Sequence, residues 1–321
     1  MELIRGAHNL QPQHRGCVAT IGNFDGVHLG HQAILAQLRS EAEARNLPSV
    51  VITFEPLPHE FFRGTSAPAR LTGLRERLRQ FALHGIDRVL LLRFDRQLAD
   101  LEANHFVERL LVGGLGIRAM LVGDDFRFGR DRAGDFASLR QAGEDHVFEV
   151  IRRETYELGG ERVSSTRIRH ALAAGDLEHA RELLGRPYTL SGRVRHGDAR
   201  GRTIGFPTAN IALPTGTSPL RGVFAVTVTS EEGLNGRGVA NIGTRPTVDG
   251  RHALLEVHLL GFEGNLYHQH LCVSLQRKIR DEQRFDSLDA LVHQIRRDAS
   301  LAEALLAQPP DSDTTTTGRH P

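Results

Sequence analysis

The chain has 321 residues, with 40 Lys and Arg against 39 Asp and Glu, and that near-balance argues against a protein built to neutralise a nucleic-acid backbone. Its 40% hydrophobic and 25% charged residues exclude a disordered polypeptide. No apolar run approaches the ~20 residues that span a bilayer, the opening MELIRGAHNLQPQHRG lacks the apolar core of a secretory signal, and Cys17 and Cys272 are too far apart for a disulfide framework or a paired-cysteine zinc site.

A cytoplasmic globular protein is therefore expected. Its first half alternates strand-like and helix-like segments. Cys17–Phe24 is a short apolar run ending in a glycine-containing turn, Gln32–Arg45 has an amphipathic helical pattern, and Ser49–Phe54 predicts a strand. A helix over Leu74–Leu83, a strand over Arg88–Phe94, a helix over Glu102–Leu111 and a strand over Ala119–Gly123 follow. His146–Ile151 predicts a further strand, and Ser165–Ala174 a helix opened by Ser-Ser-Thr capping chemistry. Alternation of this kind implies an α/β domain, residues 1–184, with a parallel sheet covered on both faces and ligands beyond the carboxyl ends of its strands.

Past Gly185-Arg186-Pro187 the texture changes. Tyr188–Val194, Gly222–Thr229, Gly236–Ile242 and Leu254–Leu260 are short β-branched segments separated by glycine and proline turns. They predict a small closed antiparallel barrel over 185–307, completed by a helix over Ser287–Leu306. The polar stretch 308–321 is expected to be a disordered tail.

Between the first predicted strand and helix lies IGNFDGVHLGHQAIL, with His28 and His31 three apart. At a helix start that spacing puts both imidazoles on one side. Gly30 leaves room for a phosphate, and the helix N-terminus favours the same anion. The pair then suits in-line nucleotidyl transfer, which rests on positioning and electrostatic stabilisation. Surface histidines are the plain alternative, and a metal site lacks a third ligand nearby. With Gly22, Phe24 and Asp25 upstream, the segment resembles the HxGH signature of the nucleotidylyltransferase superfamily.

Two further stretches fit that reading. Arg162–Arg169 (RVSSTRIR) offers hydroxyls, helix N–H groups and arginine forks for phosphate oxygens. Val122–Gly129 (VGDDFRFG) follows a strand where a second substrate should lie, and its phenylalanines suit a flat aromatic ligand or simple core packing.

The β-rich half contains HGDARGRTIGFPTAN, whose Gly197, Gly201 and Gly205 would let backbone N–H groups approach phosphates. No GxxxxGK[ST] loop occurs, which excludes a P-loop kinase. Thr208 and Asn210, two apart in an extended segment, face the same way and suit a Mg²⁺ ion shared with nucleotide phosphates. Glu256 interrupts the apolar strand LLEVHLL; it either points to solvent through strand alternation or accepts a proton from an attacking alcohol. Asn241–Thr247 and the charged stretch Arg277–Gln283 are candidates for the same pocket, the latter otherwise a solvated loop.

In order, GNFDGVHLGH, VGDDFRFG, SSTRIR, GRTIGFPTAN, ANIGTRPTV, LEVHLL and KIRDEQRFDSLDAL resemble the bacterial bifunctional riboflavin kinase/FAD synthetase family, over nearly the whole chain to about Leu306. The resemblance implies an N-terminal Rossmann-like nucleotidylyltransferase domain that adenylylates FMN to FAD. It also implies a C-terminal antiparallel β-barrel riboflavin kinase domain with a closing helix, both steps using ATP and Mg²⁺. By motif it places adenylyl transfer on His28 and His31, with Gly22, Phe24, Asp25 and Gly30 around ATP and Ser165, Thr166 and Arg169 on phosphates. Asp125, Phe126 and Phe128 fall at the flavin end of that site. In the barrel it assigns the metal to Thr208 and Asn210, the catalytic base to Glu256, nucleotide phosphates to Gly197, Gly201 and Gly205, and flavin contact to Arg280. The expected partners are riboflavin, FMN and ATP, with no nucleic acid or membrane, in a monomer or weak homo-oligomer. An adenylyltransferase with another acceptor and a non-catalytic flavin carrier are the competing readings.

Overall fold

The computed structural model describes residues 1–123, 125–196, 205–213, 217–247 and 250–307. It divides into two compact units, Met1–Ile168 with Leu183–Gly185, and Arg169–Glu182 with the chain from Arg186 onward. Residues 169–182, expected with the first domain, group with the second. There Glu178 pairs with Arg277 at 3.1 Å and a side chain on Gly175 would meet Lys278.

The first unit holds β1 (Glu2–Arg5), β2 (Val18–Ile21), α1 (Leu29–Ala44), β3 (Ser49–Glu55), α2 (Pro58–Arg63), α3 (Leu74–Leu83) and β4 (Arg88–Arg93). Next come α4 (Arg96–Ala99), α5 (Ala103–Phe106), running on as a π-helix over Val107–Leu115, then β5 (Ala119–Gly123), α6 (Phe136–His146) and β6 (Glu149–Arg153). A small antiparallel hairpin, β7 (Glu157–Leu158) and β8 (Glu161–Arg162), precedes α7 (Ser165–Ala174) and α8 (Leu177–Leu184). The sheet runs β1-β4-β3-β2-β5-β6, and every neighbouring pair is parallel.

Strand alternation divides the core into two layers. Ala19, Ile52, Leu90 and Met120 pack with the π-helix and Leu139 of α6. Val18, Val51, Val89 and Leu121 pack with Leu35 and Leu38 of α1 and Phe81 of α3. The chain winds from β2 through β3 to β4 on one side, then crosses to β5 on the other. The switch point therefore lies between β2 and β5, where parallel sheets bind ligands. Pairing of Val18 with Ala119 and Thr20 with Leu121 brings Gly22 and Gly123 to the same edge.

The second unit is a closed barrel of β9 (Thr189–Arg195), β10 (Ala209–Ala212), β11 (Gly222–Ser230), β12 (Asn235–Thr247), β13 (Gly250–Leu259) and β14 (His270–Arg280). Its order is β10-β13-β12-β11-β14-β9, antiparallel throughout, and α9 (Leu288–Ala307) follows. Leu255, Val257 and Leu259 are buried in the barrel, so alternation turns Glu256 and His258 to its outer face. Register aligns Asn210 with Glu256, Glu256 with Asn241, Asn241 with Val223 and Val223 with Arg280 in one outward row.

Several elements differ from expectation. The strand expected from His146 starts at Glu149, because His146 ends α6, whose N-terminus is capped reciprocally by Asp135 and Ser138. The charged stretch Arg277–Gln283, a pocket candidate with a solvated loop as its alternative, belongs to β14 as far as Arg280, and Arg280, Glu282 and Gln283 border a cavity of the barrel. The expected tail, 308–321, lies outside the described residues.

Candidate active sites

In the first unit a cavity of about 310 Å³ opens at the switch point, lined by the ends of β2 and β5, His28, His31 and Ser164–Thr166. His28 is the N-cap of α1: its Nδ1 accepts the His31 amide at 3.3 Å, which places the ring proton on Nε2. The two imidazoles stack with centroids 3.7 Å apart, and Phe24 lies 5.1 Å from the His31 ring. Gly22 also lines the cavity, and a Cβ there would stand 3.1 Å from the Phe24 ring.

Gly30, expected to let a phosphate approach, stands against the His28 ring. A Cβ on it would meet the His28 ring at 3.2 Å, so the missing side chain makes room for the imidazole. Asp25 is buried and turned away from the cavity; its carboxylate accepts the amides of Leu71 and Thr72 at 3.0 Å.

On the opposite wall, the Ser164 hydroxyl accepts the Arg167 amide and caps α7, while Ser165 Oγ donates to the Asp25 carbonyl at 2.8 Å. Arg169, further along α7, belongs to the other unit and is not among the lining residues. Asp125 pairs with Arg162 at 2.8 Å. Burial raises the Asp125 carboxyl, but the Arg162 hydrogen bond and charge, helped by Arg153, outweigh it and hold the group below its ordinary value. Phe126 lines the cavity, whereas Phe128 is a buried core residue stacked behind it at 5.3 Å.

Arg153 escaped the sequence reading. It ends β6, lines the cavity and donates to the Gly30 carbonyl at 3.0 Å. Its signal was positional, an arginine at the carboxyl end of a parallel strand.

Among the described residues of the barrel, two cavities share Thr208. The larger, about 530 Å³, is lined by Pro207–Asn210 and by the loop Phe262–Tyr267. The smaller, about 290 Å³, is lined by Asn241, Glu256, Arg280, Glu282 and the α9 residues Leu291, Ile295 and Asp298. Glu256 thus faces a pocket, and Asn241 Nδ2 reaches its Oε2 at 3.5 Å. Asn210 Oδ1 is buried with no hydrogen-bond partner among the described residues. Its Nδ2 donates to the Thr208 carbonyl at 3.3 Å, and His258 Nδ1–H donates to the Pro207 carbonyl at 2.9 Å, holding the segment against β13.

Arg280 is a wall of the smaller cavity, but its guanidinium is committed to Asp298 of α9 at 2.7–3.1 Å. Gly205 has φ of +83°, so its need for glycine is conformational. Gly197 and Gly201 lie outside the described residues, as does Asp124.

Comparison with known proteins matches two successive parts of the chain to two different families. Residues 10–167 match the FAD synthetase family model and residues 184–306 the riboflavin kinase family model. The bifunctional riboflavin kinase/FMN adenylyltransferase of Pseudomonas fluorescens is 53% identical over 96% of this chain and 98% of its own length. The chain belongs to this family. The Escherichia coli K12 member is 54% identical over 94% of the chain and 97% of its own length. A solved structure described as a macrolide-efflux protein from Streptococcus pneumoniae shares the family's fold, with a TM-score of 0.79 and 32% identity over 94% of this chain and 99% of that one. Among the described residues no helix is long and apolar enough to cross a membrane.

Proposed function

We infer that this chain makes FAD in two ATP-dependent steps, phosphorylating riboflavin in the barrel and adenylylating the resulting FMN in the first unit. The observation that carries the barrel assignment is the pairing of Asn210 with Glu256. They are neighbours in register, yet Asn210 opens on the larger cavity and Glu256 on the smaller, and Thr208 borders both. ATP in the larger cavity would bring its γ-phosphoryl group to that junction, with the ribityl chain approaching from the smaller one.

Glu256, oriented by Asn241, takes the proton of the ribityl 5′-hydroxyl as its oxygen bonds to the γ-phosphorus and ADP departs. The unpartnered Asn210 Oδ1 beside Thr208 suits a hard cation with oxygen ligands. Mg²⁺ held by Thr208 and Asn210 would supply charge neutralisation for the transferred phosphoryl group.

In the first unit FMN already carries an anionic phosphate, so its attack on the α-phosphorus of ATP needs no general base. His28 and His31 donate to the charge that accumulates there. Ser165, Thr166 and the α7 N-terminus receive the departing pyrophosphate. Arg162 and Arg153 add positive charge to the same wall. Each cavity is lined by residues of one unit, which is in keeping with action as a monomer or weak homo-oligomer, and dependence on ATP fits a cytoplasmic enzyme.

Incubation with riboflavin, ATP and Mg²⁺ should give FMN, then FAD, with release of ADP and pyrophosphate, and chelation by EDTA should stop both. Conversion of supplied FMN without any use of riboflavin would reduce the function to an adenylyltransferase; release of neither product would leave a flavin carrier.

A further inference from the structure

Behind the first cavity lies a group of charged side chains that the reaction as described does not use. Arg77, on α3, is wholly buried. One of its terminal nitrogens donates to the Asn23 carbonyl at 2.9 Å, and the other donates to the Phe54 carbonyl at 2.9 Å and to Glu55 at 3.1 Å. Arg70, also buried, grips both oxygens of Glu55 at 3.0 Å and pairs with Glu60 through Nε at 2.8 Å. Asp25 completes the group by accepting the Leu71 and Thr72 amides. Residues 23–25, 54–60 and 70–77 are tied together in this way. Burial, aided by Arg70, pushes the Arg77 guanidinium down to about 10, against the pull of Glu55, Asp25 and Glu60, so it stays charged at neutral pH.

The segment held by this group is the one that needs holding. Between β2 and α1 the backbone has positive φ at Phe24 (50°), Gly26 (87°) and Val27 (40°). A β-branched residue in that region is a genuine outlier, and such conformations persist only where their surroundings over-determine them. This loop delivers Gly22, Phe24 and His28 to the cavity.

Given that the first unit transfers adenylyl groups, we propose that Arg77 is a positioning residue for that reaction. Anchored by Glu55, its guanidinium fixes the Asn23 carbonyl and keeps the strained loop in the shape that seats His28 at the α1 N-terminus. A lysine's single nitrogen cannot stand where both terminal nitrogens stand, so it loses the simultaneous hold on Asn23 and on Phe54 with Glu55, and the loop would relax although the charge remains. The histidines would then lose alignment with the phosphorus centre while ATP still docked against α7.

The test uses the full chain and its second activity as an internal control. Arg77→Lys and Arg77→Met are assayed for FMN adenylylation at varied ATP, and for riboflavin phosphorylation, at a temperature where circular dichroism shows them folded. For Arg77→Lys we expect a fall in adenylylation kcat of about 10- to 100-fold, a smaller change in KM for ATP, and riboflavin phosphorylation within about twofold of the parent. A merely structural role would lower the melting temperature and leave kcat per folded molecule unchanged, and that result overturns the proposal. Should both variants fail to fold, Glu55→Gln, which loosens the same anchor from a half-buried position, must show the same kcat-weighted loss, and an unchanged kcat there overturns it equally. Absence of adenylylation in the parent chain would instead refute the reading of the unit.

Discussion

The imidazoles of His28 and His31 stack 3.7 Å apart with 18° between their planes, while the His28 Nδ1 accepts the His31 amide. One side chain thus caps the helix and keeps Nε2–H, the donor proposed for the developing charge, at the cavity. Asn caps helices well, but its amide stops short of the position of Nε2, so His28→Asn separates the two tasks. FAD formation should fall by ~10²–10³, the loss typical of one electrostatic donor, with the melting temperature nearly unchanged. His28→Ala should add a capping loss of about 1 kcal/mol. Flavin chromatography of riboflavin and FMN reactions reads both activities, and FAD synthesis near the parent rate in His28→Asn would remove that ring from the mechanism.

Glu256→Gln keeps the shape of the row between Asn210 and Asn241 and can still accept from Asn241 Nδ2. It removes the proposed proton acceptor. Riboflavin phosphorylation should drop by ~10²–10⁴, the usual range for a general base, while supplied FMN continues to be adenylylated. Loss of both activities in a folded variant would contradict independent sites.

The fold and site were legible wherever the signal was local. The strand Ala119–Gly123 and the helices Leu74–Leu83 and Ser165–Ala174 match their predicted limits, because the apolar spacing lies within each segment and the Ser164 cap of the last directly precedes it. β1 was missed: only Ile4 of its four residues is buried, too little pattern for a short strand. β14 was missed although Leu271, Val273 and Leu275 alternate with polar residues, because the charged, irregularly paired run at its end masks so short a pattern. That His28 and His31 line one cavity, and Thr208 and Asn210 another, could be read because the partners are two or three residues apart. The Arg70–Arg77–Glu55 group, the turning away of Asp25, and the engagement of Arg280 by Asp298 could not. Each depends on segments far apart in sequence converging in space.

Acid sensitivity should reside partly in Glu60. Burial raises its carboxyl, yet hydrogen bonding to Arg70 and to the Leu57 amide outweighs this and holds it below its ordinary value. A group depressed in the folded state adds stability that is fully present above its unfolded pKa, about 4.3 for Glu, and lost as pH falls through the folded value. Melting temperatures of the parent should therefore decline below about pH 4.3. Glu60→Gln should be less stable at neutral pH, leaving Arg70 short of a partner, and show a flatter decline in acid. Parallel pH curves for the two proteins would show that Glu60 contributes no such linkage.

The Arg280–Asp298 pair ties the end of β14 to α9, and α9 supplies Leu291 and Ile295 to the smaller barrel cavity. Asp298 is only 3% exposed and also accepts from Gln294 at 2.8 Å, so its carboxylate has little access to water. Removing one partner of a buried pair leaves the other charge uncompensated, typically at 3–5 kcal/mol. Asn retains one acceptor, so Asp298→Asn should fall at or below that range in denaturant unfolding. If the smaller cavity receives the flavin, loosening α9 should raise KM for riboflavin several-fold. KM for ATP should hold, since neither residue borders the larger cavity. Replacing both residues by apolar ones of similar volume, Arg280→Met with Asp298→Leu, should recover stability relative to the single variant, because no buried charge is left alone. Riboflavin affinity should stay weakened, since apolar contact does not reproduce the directional tie between strand and helix. An Asp298→Asn variant with unchanged riboflavin KM and a raised ATP KM would reverse the assignment of the two cavities.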